Sequence, residues 1–260
     1  MNNVNKTLYI PLYGKAFVSK KGIIINDTKA EMIWEKEGFE LKGKSKSKWL
    51  AYYMAMRSSV FDNWVKDKLT ENNNAIVLHI GCGMDSRVER IGLTNNQWFD
   101  VDFEAVITER RKYYKENNFY HMVVGDATKP DWIDDFPKNT DVIVILEGIS
   151  MYLQISELER LLHKISNHFN NVNLLMDCYT ELSAKMSKYK NPINDVGVTE
   201  VYGLDEPKSI QSNTGLTFIK EHNITPPEMI SQLNGFEKSI FKLLYGGKLA
   251  EKMYRLYEYN

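Results

Sequence analysis

The stretch that most constrains this chain is Ala75–Asp102, AIVLHIGCGMDSRVERIGLTNNQWFDVD. Ala75 to Ile80 is a short apolar run of strand-forming residues. Gly81 and Gly83 follow at once, where a backbone must turn sharply and stay open to a ligand. Asp85 or Ser86 then stands in place to cap a helix that opens near Arg87. A second apolar run, Trp98 to Val101, ends in Asp102, roughly twenty residues after the glycines, the spacing of a nucleoside-binding βαβ unit. An acid at the end of the second strand accepts hydrogen bonds from both ribose hydroxyls. The third glycine of the dinucleotide fingerprint is missing, because Ser86 stands in its place, which disfavours a nicotinamide-dependent oxidoreductase.

The pattern continues downstream. Val106 to Lys115 reads as a second helix, His121 to Val124 as a third strand ending in Gly125-Asp126, and Asp131 to Phe136 as a short helix. Asp141 to Leu146 reads as a buried strand ending in Glu147. Ser156 to Phe169 is a helix with Ser156 as N-cap and Glu159 completing a capping box. Val172 to Met176 is a fifth strand, ending at Asp177. Strands alternating with helices predict an α/β protein with a mostly parallel, doubly wound sheet, in which ligands bind beyond the carboxyl ends of the strands. Asp102, Asp126, Glu147 and Asp177 end successive strands. Such an acid-rich mouth suits ribose hydroxyls, an adenine amino group and an ammonium, and it suits a pyrophosphate poorly. No phosphate-loop motif is present.

The flanks are less regular. Residues 1–46 read as an N-terminal cap over the mouth of a domain spanning 47–260. Within the cap, Thr7 to Pro11 is expected to be extended, Ile23 to Ile25 a short strand or buried turn, and Thr28 to Lys36 a short helix. Tyr13 and Lys15 either line a pocket or pack as ordinary residues. Lys42 to Lys48 is a basic run, read as a solvated loop in preference to an anion site. An insertion with short helices is expected at about 180–215. Leu216 to Lys220 is expected to be a strand, Pro226 to Phe241 helical in pieces, and Met253 to Tyr259 a last strand.

From Ser47 to about Leu69, apolar residues recur at helical spacing, and Arg57 falls inside their stripe. A guanidinium on a buried face is costly unless a fixed anion meets it. Arg57 therefore pairs with a protein acid or receives an anionic ligand group in a bidentate fork. The bulk numbers fit this picture. The chain has 260 residues and a net charge of −1, so nothing global recruits nucleic acid or an acidic membrane. The longest apolar stretch is too short to span a bilayer, and the first residues have no secretory pattern. Two cysteines, Cys82 and Cys178, have no metal spacing, and a reduced, cytoplasmic setting is the expectation.

Several segments together resemble the leucine carboxyl methyltransferase superfamily, and more closely its bacterial branch of tetracenomycin-polyketide-type O-methyltransferases. They are TLYIPLYGKA, MAMRSSVFDNWV, HIGCGMDSR, WFDVDFEAVI, GDATKPDWID, VIVILEGISMYL and YGLDEP. The resemblance implies a Rossmann-like, class I methyltransferase that uses S-adenosyl-L-methionine and releases S-adenosyl-L-homocysteine. It implies that Arg57 holds the methionine carboxylate and that Gly81 and Gly83 admit the methionyl and ribose portion. Asp102 would bind the ribose hydroxyls, and Asp126 the adenine amino group with the Ala127 backbone at the ring edge. Glu147 would face the methionyl ammonium or the inner pocket. Asp85 is left between helix capping and a ligand contact.

A sulfonium already carries an activated methyl group, so the protein mainly positions the acceptor and excludes water. A carboxylate acceptor is ionised at neutral pH and needs no base, whereas a phenol does. No base is evident: His79 reads as a satisfied core residue. Tyr13, Tyr152 and Tyr202 are the candidates for orienting the acceptor. The expected function is O-methylation of a small molecule, at a carboxylate or a phenol. The alternatives are a methyltransferase for protein C-terminal carboxylates and a non-catalytic module that binds S-adenosylmethionine.

Overall fold

The computed structural model describes residues 8–41, 43–92, 95–187, 200–246 and 252–260. Thr7, Lys42 and residues 188–199 of the expected insertion, with Tyr189 and Pro192, lie outside them.

Seven strands form one sheet: β1 (Ile76–Ile80), β2 (Trp98–Asp102), β3 (Tyr120–Val124), β4 (Val142–Leu146), β5 (Val172–Tyr179), β6 (Phe218–Glu221) and β7 (Tyr254–Tyr259). Their order is β3-β2-β1-β4-β5-β7-β6. The first five pair in parallel, whereas β7 runs antiparallel between β5 and β6. The strand order reverses between β1 and β4, where open α/β sheets take their ligands. Strand residues alternate between two cores: Val77, Ile143 and Leu175 pack into one, and Leu78, Val144 and Leu174 into the other. Burial on both faces explains why β1 and β4 are continuous apolar runs.

Helices α1 (Tyr9–Lys20), α2 (Thr28–Glu37) and α3 (Lys48–Glu71) cover the first face. After them come α4 (Arg87–Ile91), α5 (Glu104–Arg110) and α6 (Ile155–His168); α6 fills the second face with Leu158, Leu161, Leu162 and Ile165. The chain continues through α7 (Glu181–Ser187), α8 (Gln211–Thr214), α9 (Pro227–Ser231) and α10 (Gly235–Tyr245). No helix among the described residues is long and apolar enough to cross a membrane.

Four local expectations are corrected. Of the run Thr7 to Pro11, expected to be extended, the described part is not: from Tyr9 it is the start of α1. Pro11 stands in the first turn, where its missing N–H leaves no intrahelical bond unmade. The apolar run from Leu8 to Leu12 leads into a longer helical stripe, which Ala16 and Val18 continue into the core. Mid-helix Gly14 lets α1 lie close on α3, since a Cβ there would stand 3.2 Å from Ala51 O. The second expected helix is shorter, with α5 ending at Arg110 instead of Lys115; Arg110 is fully buried and bonded to Asp100, so the chain turns there. The third short helix is a 3-10 helix, Pro130–Asp135. The capping box of α6 is shifted two residues, with Gln154 as N-cap and Glu157 as its partner in place of Ser156 and Glu159. The expected helices at 28–36 and 47–69 and the last strand appear close to their predicted positions. The basic run contains a 3-10 turn, Gly43–Lys46, with Lys44 and Lys46 exposed.

Candidate active site

A cavity of about 430 Å³ opens at the carboxyl ends of β1, β2 and β4. Arg57, Gly81, Gly83, Asp85, Asp102, Asp126, Ala127 and Glu147 all line it, although they come from five separate stretches of the chain. Residues of α1, among them Ile10, Pro11 and Lys15, form part of its wall.

The glycine turn is built as its sequence requires. Gly81 has φ +71° and Gly83 φ +52°, a region that L side chains rarely enter. A Cβ on Gly81 would also fall 2.1 Å from Ile149 Cγ2. Asp102 is fastened to this turn, since Gly83 N donates to its Oδ2 at 2.8 Å and Phe103 N to its Oδ1 at 2.8 Å. Burial raises the Asp102 carboxyl against these two bonds. Asp126 accepts from Thr128 N at 2.8 Å and from Thr128 Oγ1 at 2.7 Å, so its carboxylate is held at the cavity edge.

Arg57 is only 4% exposed and meets protein acids. Its Nε donates to Glu147 Oε1 at 3.1 Å, and its Nη1 lies 2.9 Å from Asp177 Oδ2 and donates to the Tyr254 hydroxyl at 2.6 Å. A Cβ on Gly148 would lie 3.4 Å from Arg57 Nη2. Glu147 is shared with Arg87, whose Nη2 donates to its Oε2. Burial pushes the Glu147 carboxyl up, but the Arg87 and Arg57 guanidinium groups outweigh it and hold it down at about 2. Asp85 precedes Ser86, the N-cap of the next helix, and accepts from Arg87 N, its first amide, at 2.7 Å; it also pairs with buried Lys15 at 2.7 Å and with Arg90 at 2.8 Å. Burial again opposes ionisation, and Arg90, Lys15 and Arg87 hold the carboxyl well below its ordinary range.

Asp177 is not at the mouth with the other three strand-end acids. It is fully buried, accepts from Gly148 N at 2.7 Å and from the Tyr254 hydroxyl at 2.5 Å, and braces Arg57 from behind. Of the three tyrosine candidates, only Tyr152 lines the cavity. Tyr13 packs beside Trp34 with ring centroids 5.1 Å apart, and its hydroxyl donates to Lys46 O at 3.4 Å. Tyr202 is not among the lining residues; its amide donates to Met151 O at 2.8 Å. The His79 imidazole is engaged by Asp100 at 3.2 Å and Arg87 at 3.3 Å, so it is a satisfied core group.

Sequence reasoning missed Arg87, Arg90, Asp62 and Tyr254. Arg87 was seen only as a helix start, and Tyr254 is one of 15 tyrosines. Tyr254→Phe keeps the ring but removes a hydroxyl that serves Arg57 and Asp177 together. It is expected to lower stability by about 1–3 kcal/mol, the range for a hydrogen bond to a buried charged group. The urea midpoint measures this, and an unchanged midpoint would exclude the hydroxyl from the network.

The model of the family "Leucine carboxyl methyltransferase" matches residues 3–166, more than half of the chain. The tetracenomycin polyketide synthesis O-methyltransferase TcmP of Streptomyces glaucescens is 25% identical over 241 residues, covering 92% of this chain and 89% of that protein. The S-adenosyl-L-methionine-dependent methyltransferase dpfgK of Gibberella zeae is 25% identical over 236 residues, covering 82% and 79%. Among solved structures, a methyltransferase from Thermobifida fusca shares the fold with a TM-score of 0.59 at 12% identity, covering 86% of this chain and 90% of that one. The sheet order and the parallel strands are those of the class I methyltransferase fold. The chain thus belongs to the leucine carboxyl methyltransferase family, as a methyltransferase that depends on S-adenosylmethionine.

Proposed function

We propose that this chain is an O-methyltransferase that acts on a small-molecule carboxylate and forms a methyl ester. One observation carries the reading: an anion-binding guanidinium, a positive-φ glycine turn and three strand-end carboxylates converge on one cavity where the strand order reverses. In this reading Arg57 takes the methionine carboxylate with the guanidinium face that its protein partners leave, near Gly148. Gly81 and Gly83 let the backbone approach the methionyl and ribose portion. Asp102, already oriented by Gly83 N and Phe103 N, accepts from the ribose hydroxyls. Asp126 accepts from the adenine amino group, with the Ala127 backbone at the ring edge. Glu147, held ionised by two arginines, meets the methionyl ammonium. Asp85 then acts through Lys15 and the helix start, holding the turn in shape.

S-adenosylmethionine held by these residues would supply an activated methyl group whose C–S pair would return to sulfur as the acceptor oxygen's lone pair formed the O–C bond, and from a carboxylate no proton would move. That balance suits a cavity whose histidine is already engaged by Asp100 and Arg87. The names of the family and of the Streptomyces relative favour an oxygen, and in the family's case a carboxyl, as the acceptor. Tyr152 on the lining is placed to orient it. Cys82 and Cys178 are buried free thiols, in keeping with a reducing, cytoplasmic setting.

Isothermal calorimetry of the purified chain with S-adenosylmethionine, S-adenosylhomocysteine and NAD tests the reading. Micromolar binding of the two sulfur compounds and none of NAD is expected. Binding of NAD alone, or of none of the three, would sink it.

A further inference from the structure

Helix α10 is held to the molecule by one side. Glu237 and Phe241 are its buried residues. The Phe241 ring meets Tyr52 of α3 edge-on, with centroids 6.2 Å apart. Glu237 accepts from the Tyr52 hydroxyl at 2.9 Å and from Lys48 Nζ at 2.8 Å. Asn234 fixes the helix start by accepting from Glu237 N at 3.0 Å.

The opposite side presents apolar groups to solvent. Phe236 is 78% exposed, Leu243 84% and Leu244 50%. Phe236 and Leu243 stand seven positions apart, so they share one stripe of the helix. Single exposed hydrophobic residues are ordinary, but a stripe of them marks an interaction surface. Lys238 and Lys242 run along one flank of that stripe, four positions apart. Glu237 is the only acid of the helix, and it is turned inward. Its bond to Lys48 also fastens α10 beside a second basic element. The 3-10 turn Gly43–Lys46 leads straight into α3, and its Lys44 and Lys46 are exposed. Lys21 approaches the same Glu237 at 3.6 Å. The net charge of the whole chain is −1, so this concentration of lysines is local to one patch.

We propose that α10 and the basic turn before α3 form a docking surface for an anionic phospholipid bilayer. Lysines beside an apolar helical stripe match such a surface in both of its parts: the ammonium groups meet lipid phosphates while the apolar side chains enter the acyl boundary. The protrusion of Phe236 and Leu243 favours lipid over a protein partner. Side chains this exposed stand out from the surface, and a fluid layer receives them without a matching pocket. The contact is peripheral and does not depend on the reaction proposed above.

The test is co-sedimentation of the full chain with vesicles of phosphatidylcholine and phosphatidylglycerol, and with vesicles of phosphatidylcholine alone. Binding to the anionic vesicles only is expected, and it should fall as salt rises. Phe236→Ser combined with Leu243→Ser should weaken that binding about tenfold or more. Lys242→Glu should weaken it about fivefold or more. All three positions are exposed, and unchanged melting temperatures would show that the variants fold. Should the double variant melt early, Lys242→Glu decides alone. No binding to the anionic vesicles overturns the proposal, as does equal binding to both vesicle types or equal binding by the folded variants. A dimer of the free protein in light scattering that these same substitutions dissolve would also overturn it, because the stripe would then belong to a second copy of the chain.

Discussion

Replacing Arg57 with methionine is expected to cost this protein both stability and its cofactor. Methionine suits the helix and fills a similar volume, so α3 should persist. The loss is electrostatic. Glu147 and Asp177 stay buried, and each has one cationic partner fewer. Breaking a buried pair from one side costs about 3–5 kcal/mol. The lower end is expected here, because Glu147 keeps Arg87 and Asp177 keeps Gly148 N and the Tyr254 hydroxyl. Asp177 already has its carboxyl raised by burial, and with Arg57 gone it is the group that takes up a proton. If the proposed role is right, the variant also loses a charged hydrogen bond to the methionine carboxylate, worth about 1.5–3 kcal/mol, or roughly a ten- to hundredfold rise in Kd for S-adenosylmethionine. Thermal melts and calorimetry below the melt separate the two effects. A lower Tm with unchanged Kd would leave Arg57 a purely structural cation.

Asp102→Ala should behave in the opposite proportion. Among the described residues Asp102 has no ion-pair partner in direct contact, and burial opposes its charge. Its removal costs the protein two backbone hydrogen bonds, from Gly83 N and Phe103 N, but relieves the cost of a buried carboxylate. The stability change is therefore expected to stay within about 1–2 kcal/mol. If the proposed role is right, the cofactor loses both ribose contacts, and its Kd should rise on the order of 100-fold. Asp102→Asn should fall between, because an amide still accepts one hydrogen bond with its oxygen. Unchanged affinity in the alanine variant would take Asp102 out of the site. A loss of affinity matched by an equally large loss of stability would mean that the carboxylate serves the glycine turn, not a ligand.

The difference between these residues comes from how the site handles charge. Three of the four strand-end acids face the cavity, and five buried or nearly buried cations stand behind and around them: Lys15, Arg57, Arg87, Arg90 and Arg110. Each cation is committed to at least one carboxylate: Asp85, Asp177, Asp62, Asp27 and Asp100 among them. Asp85, Asp100 and Glu147 are thereby held below the ordinary carboxylate range although burial pushes each of them up. In the proposed binding mode the methionyl ammonium would meet a Glu147 that is already charged and oriented, so little reorganisation of that side chain would accompany binding.

The sequence by itself determined the parts of this protein that depend on neighbours in the chain. The β1–glycine–α4–β2 unit, the acids after β2, β3 and β4, and the place of Arg57 on the buried stripe of α3 all follow from residues within about one helical or strand period of each other. Local patterns misled where one motif fits two structures, as at the first turn of α1, where a shift of two residues preserves the pattern, as at the cap of α6, and at the end of α5, where buried Arg110 bonds Asp100. Tertiary structure alone decided the partners. Arg57 finds Glu147 across 90 positions and Tyr254 across 197, and Tyr254 finds Asp177 across 77. The antiparallel insertion of β7 beside β5 puts Tyr254 on the wall of the cavity. An ion pair or a cavity wall depends on where the strands are set side by side, and no periodicity along the chain carries that distance.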